Sequence, residues 1–235
     1  MGRTMMRLSE SSLCPRHVTA VMRFHTNSFR WISDPIPVGH PETLARTEER
    51  LGLRLPLSVR EWYGDVDGHH ILSNCSNSDH ALVPNDFERV EVGGKSLIIV
   101  LIEDQAVCRW GFELDGTDDP PVHVDFRPHA NKLLLYSRTF SEFTYVRVFD
   151  FEALGDSDRM FWKTRQPLTN DELRSLEGSY TVEPRSWGWP SDITYRFSST
   201  LGRITIWQSE RQADWNLSAT SPEALIQLKQ SANLA

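Results

Sequence analysis

Four side chains that could share a zinc ion, His69, His70, Cys75 and His80, lie close together in the sequence. The residues between them are rich in Asn and Ser, and no second pair of ligands follows to close a four-ligand site, so a polar loop is the simpler expectation. Cys108 has the atom of a nucleophile but alternates with Ala106 and Trp110, positions that suit a small buried thiol better than a thiolate. Asp115, Asp118 and Asp119 could hold a cation, yet Gly116, Pro120 and Pro121 mark a turn there, and the glycine and terminal glutamate of a calcium loop are missing. The chain has no phosphate-cradling glycine loop, strained serine elbow or metalloprotease helix motif. We therefore expect no metal, no cofactor and no catalytic residue, with a metal-dependent enzyme using the 69–80 histidines left open as an alternative.

Charge points instead to a binding surface. Five arginines and the single acid Glu10 give residues 1–30 a net +4, so residues 31–235 carry −11 of the total of −7. Two stretches hold most of it: residues 61–94 carry seven acids against Arg89, and residues 103–125 carry seven against Arg109. Such a surface repels phosphate backbones and attracts basic partners, which argues against direct binding to nucleic acid. Simple solvation of an acidic face is the alternative. Three scattered cysteines do not make a disulfide framework, and the longest apolar run, Leu97 to Ile102, is far too short for a bilayer, so a cytoplasmic location is expected. The sequons at Asn74 and Asn216 are then chance matches.

These residues need a scaffold, and the pattern supplies one. Pro41 opens a helix that Gly52 closes, and Pro56 starts a second, with Val59, Trp62 and Tyr63 on one face and Gly64 and Gly68 turning the chain into a loop. Leu97 to Ile102 is apolar on both faces, as an interior strand would be, and Glu103 to Gln105 allow a tight return into an alternating strand at 106–114. Val122 to Phe126 and 132–136 continue an antiparallel meander. Thr139 with Glu142 is a capping box for a helix carrying Phe140, Phe143, Val146 and Phe149. Residues 156–166 look like a connector. A second capping box at Thr169 and Glu172, alternation at 193–197 and 204–206, and a helix begun by Ser221 and Pro222 then describe a small C-terminal α+β unit or an extension of the main sheet. Trp187, Gly188, Trp189 and Pro190 suit a bulky corner of that unit's core, with a ligand-stacking pair as the alternative.

The order of elements in ERLGLRLPLSVREWYGDVDG, followed by VCRWGFELDGTDDPPV and the Phe-bearing helix from Thr139 to Phe149, resembles the SUKH superfamily, which includes bacterial toxin-immunity proteins and yeast cell-wall-assembly regulators. The resemblance covers residues 40–155. It implies an α+β fold in which helices pack on one side of a mixed, largely antiparallel sheet; the basic, serine-containing start of the chain suggests a loosely ordered N-terminal extension (1–39), and the C-terminal pattern a further unit (156–235). It also implies a protein-binding role. We expect a cytoplasmic immunity protein that covers the basic cleft of a nuclease- or deaminase-type toxin, or else a regulatory or scaffold protein of the same fold. Charge alone nominates Asp65, Asp67, Asp79, Asp86, Asp104, Asp115, Asp118 and Asp119 as the partner contacts.

Overall fold

Two antiparallel sheets share one central helix. The computed structural model describes residues 22–32, 35–76, 78–126, 132–152 and 157–234. Of the expected loose extension, residues 1–21 lie outside the described residues. Residues 22–32 belong to the folded body. Helix α1 (Thr26–Phe29) packs against the central helix, and Phe29, Trp31 and Ile32 join the first core.

The N-terminal helices follow their sequence signals up to Gly64. Helix α2 (Pro41–Leu51) has Pro in its first turn and ends at Gly52, whose φ of 65° lies in the left-handed region that glycine tolerates best. Helix α3 (Leu57–Arg60) begins after Pro56 and widens into a π-helical turn at Glu61–Asp65, with Val59, Trp62 and Tyr63 all buried. Gly68 does not turn the chain into a loop. It opens helix α4 (Gly68–Asn74), because the Asp67 carboxylate accepts from the His70 N–H and caps the first turn.

The first sheet is assembled on its apolar strand. The short β1 (His80–Ala81) and β2 (Glu88–Val92) pair along one edge of β3 (Lys95–Ile102), with residues 82–87 looping out between them. The other edge of β3 pairs with β4 (Cys108–Glu113), then β5 (Val122–Phe126) and β6 (Leu133–Ser137), every pairing antiparallel. Alternation runs as expected through Cys108, Trp110 and Phe112, which are buried, while Ala106 sits in the turn with φ of 57°. Helix α5 (Phe140–Glu152) then crosses the apolar face. Glu142 N–H donates to Thr139 Oγ1, but the reciprocal bond of the expected capping box is displaced by one residue, since the Glu142 carboxylate accepts from Arg138 N–H.

The C-terminal residues build a sheet of their own. Residues expected to be a connector form β7 (Met160–Arg165), an edge strand whose only inward apolar side chain is Phe161, too little for an alternation to show. Helix α6 (Asn170–Ser179) starts from the full Thr169–Glu172 capping box and runs through Gly178. The strands β8 (Thr181–Trp187), β9 (Ile193–Ser199), β10 (Gly202–Gln208) and β11 (Ala213–Ala219) complete the sheet in the order β7-β11-β10-β9-β8. Ser221 caps helix α7 (Pro222–Ser231), and Leu228 closes a second core with Phe197, Ile204, Ile206, Trp215 and Leu217.

The other face of the second sheet is polar, and its β8–β9 half lies against α5. Arg196, only 1 % exposed, donates from Nε and Nη2 to the two oxygens of Asp150 at 2.7 and 2.6 Å. Buried Glu183 accepts from Arg30, Tyr145 and Ser198, and Trp31 Nε1–H donates to the same Tyr145 oxygen. The Trp187–Pro190 corner serves this junction and not the second core. The Trp189 ring meets Phe126 edge-on, and a Cβ on Gly188 would stand 2.6 Å from Val124 of the first sheet.

Removing the Asp150 carboxylate strands a desolvated guanidinium, so Asp150→Ala should destabilise the chain by about 3–5 kcal/mol. The double replacement Asp150→Leu with Arg196→Met should cost much less. Urea unfolding of the two variants beside the parent checks both.

Candidate functional site

Two exposed acids, Asp115 and Asp118, are carried by a loop that its neighbours hold at both ends. After β4, the Asp115 carboxylate accepts from Thr117 N–H and Oγ1–H, folding residues 115–117 into a local turn. The Asp118 carbonyl then accepts from Ser58 N–H at 2.9 Å, one of the free amides at the start of α3. Next, Asp119 accepts from both Ser141 N–H and Ser141 Oγ–H, so its charge sits at the start of α5. The Asp115 and Asp118 side chains are left exposed, with Asp118 in a surface ion pair with Arg23 at 3.7 Å. Between this loop and residues 53–57 runs a cleft of about 540 Å³. Leu53, Leu55, Pro56, Leu57 and Leu114 give it an apolar lining, and Arg54, Arg89 and Asp118 supply its charges.

The eight nominated acids do not form one patch. Asp67 is the cap of α4, Asp79 is paired with the largely buried Arg147, and Asp119 holds α5. Asp65 is exposed beside a second cleft, of about 330 Å³, lined by Arg23, Phe24 and Leu44. Asp86 is exposed in the turn before β2, and Asp104 in the β3–β4 turn. That turn lies at the opposite end of β4 from Asp115 and Asp118, so the length of the strand, roughly 20 Å, separates them. The structure brings together Asp115 and Asp118.

The residues considered for chemistry occupy ordinary places. His69 and His70 bond to Ser73 and Asn74 one turn along α4, and among the described residues no three His, Cys, Asp or Glu side chains converge as metal ligands. Cys108 is fully buried, and burial, reinforced by the Glu103 charge, pushes its thiol up to about 12. On the outer face of the first sheet, Glu113 accepts from Lys95 and from His123. Burial alone would raise its carboxyl, but those two bonds hold it below the usual range.

Two buried groups that the sequence did not single out hold residues 23–25 in place. Glu61 accepts backbone N–H bonds from Arg23, Phe24 and His25. His25, fully buried, bonds through Nε2–H to the Ser58 carbonyl and through Nδ1 to Thr144 Oγ1. The only trace of either was an acid beside the apolar Trp62 and Tyr63 in one helical turn.

No family model, curated protein or solved structure matches this chain.

Burial lowers the His25 pKa from its ordinary 6.5 against the opposing pull of the Ser58 bond and the Glu61 and Asp119 charges. The unfolded chain therefore takes up this proton first, and stability should fall as pH drops below about 6.5 toward the lowered folded-state value. Chemical denaturation between pH 7.5 and 5.5 should show the loss, and His25→Gln should flatten it.

Proposed function

We propose that the chain is a protein-binding module, a cytoplasmic immunity protein that neutralises a nuclease- or deaminase-type toxin by covering its basic substrate cleft. The observation that carries this reading is the loop at 115–119, which α3 and α5 hold in place while Asp115 and Asp118 project beside an apolar cleft. A surface fixed before binding loses little conformational entropy on association. Its negative charge speeds encounter with a basic partner and disfavours acidic competitors. The cleft offers what charge lacks, an apolar recess of about 540 Å³ in which a partner side chain can be desolvated. The resemblance of residues 40–155 to the SUKH superfamily supports the same reading, and so does the net −6 of residues 103–125.

The structure of the loop narrows the contacts. Asp67, Asp79 and Asp119 already serve the fold, so their replacement would confound binding with unfolding. Asp115 and Asp118 are the contacts proposed first, with Asp65, Asp86 and Asp104 reaching a partner only if it wraps further round the domain. Among the described residues no helix is long and apolar enough to cross a membrane.

The test uses the purified chain and the toxin domain encoded beside its gene. Association should slow as salt rises, and Asp115→Lys with Asp118→Lys should cut the association rate by about tenfold or more while Asp104→Lys changes it little. Stopped-flow or surface-based kinetics reads both. The reading fails if no toxin is encoded next to the gene and charge reversal leaves every bound partner in place.

A further inference from the structure

The polar face of the second sheet holds a feature that the junction with α5 does not use. Directly opposed residues of antiparallel strands share a face. The register therefore lines up Trp162, Asn216 and Thr205 in one row across β7, β11 and β10, with Thr164, Asp214 and Trp207 in the next. The Trp162 and Trp207 rings meet across β11, their centroids 5.1 Å apart and their planes at 56°. Trp162 is 53 % exposed. Yet Asn216 and Thr205, 2 % and 1 % exposed, are buried in the same row, and Asn216 Oδ1 and Thr205 Oγ1 have no hydrogen-bond partner.

Neither observation is what folding alone would select. A buried polar atom without a partner costs about 1–3 kcal/mol, and an indole left half in water forgoes about half of its burial. Together they describe an exposed indole surface backed by waiting acceptors. Asp214 adds a third acceptor, held in position by Thr164 Oγ1–H at 2.6 Å and Gln212 Nε2–H at 3.0 Å. A ligand suited to this face must offer an apolar plane to stack and hydroxyl donors around its rim. A phosphate would meet the Asp214 carboxylate, while the nearest cation of the neighbouring row, Arg203, lies over the Trp31 ring at 4.2 Å.

We propose that the β7–β11–β10 face is a binding site for a neutral oligosaccharide of β-linked, gluco-configured pyranoses. Equatorial hydroxyls leave such a ring with axial C–H groups on both faces, the geometry an indole can cover. One ring stacks on Trp162 and gives a hydroxyl to Asp214. As the Trp162 side chain moves off Trp207, a second hydroxyl reaches Asn216 Oδ1 and Thr205 Oγ1. The site is separate from the 115–119 loop, so it stands or falls independently of the proposed function.

Titration of the full chain with cellotetraose and chitotetraose, followed by calorimetry and by the indole N–H resonances, tests it. We expect saturable binding that shifts the Trp162 and Trp207 resonances. Trp162→Ala should weaken it by about tenfold or more, a loss of ~1.4 kcal/mol, with circular dichroism checking that the variant stays folded. Asp214→Asn, which keeps the side-chain volume, should weaken binding too and guards against a Trp162 replacement that fails to fold. The proposal is overturned if neither saccharide shifts an indole resonance, if Trp162→Ala binds as the parent does, or if a thymidine tetranucleotide takes the face in preference to both sugars.

Discussion

The bidentate pairing of Arg196 with Asp150 is the interaction on which the arrangement of this molecule depends. A guanidinium with 1 % exposure is tolerable only where a carboxylate and further acceptors meet it, and here Ser186 Oγ and the Pro184 carbonyl complete the set. Asp150 is near the end of α5 and Arg196 is in β9, so the pair can form only when the second sheet lies against that helix. Glu183 repeats the same logic with Arg30, Tyr145 and Ser198. Polar contacts of this kind are directional. They set how the two sheets face each other more sharply than apolar contact alone would.

Helix α5 is consequently buried on opposite sides by unlike surroundings. Phe140, Phe143 and Val146 belong to the core of the first sheet, while Tyr145 and Asp150 meet the polar face of the second. Its N-terminus is held by Asp119 and Thr139, and Arg147 ties it to Asp79 ahead of β1. The loop that presents Asp115 and Asp118 is thereby fixed to the central helix. A binding surface mounted in this way keeps its shape before a partner arrives, which is the physical basis of the proposed role.

Much of the first domain could be read from residue order. Pro41, Gly52 and Pro56 place α2 and α3, the apolar run at 97–102 gives the interior strand, and Thr139 gives the start of α5. The second sheet was legible only in part. Alternation at 193–197 and 204–206 shows β9 and β10, but β7 and β8 are edge strands of mixed polarity whose pattern carries little signal. β8 in particular turns Glu183 and Ser186 toward a partner face that is itself polar, so the usual contrast of apolar and polar sides is missing. The candidate contacts were less legible still. Net charge marks Asp67, Asp79 and Asp119 as readily as Asp115 and Asp118, since an acid that caps a helix and one that faces solvent are the same letter.

The sequence by itself determined the α+β class, the position of the helix caps, the interior strand and the acidity of the 103–125 stretch, because these depend on neighbours within a few residues. Only the tertiary structure decided which acids stay exposed, that the Trp187–Pro190 corner seals a junction between sheets, and that Trp162 and Trp207 meet over Asn216. Each of those depends on residues brought together from distant strands and helices, where register and packing, and not local spacing, choose the partner.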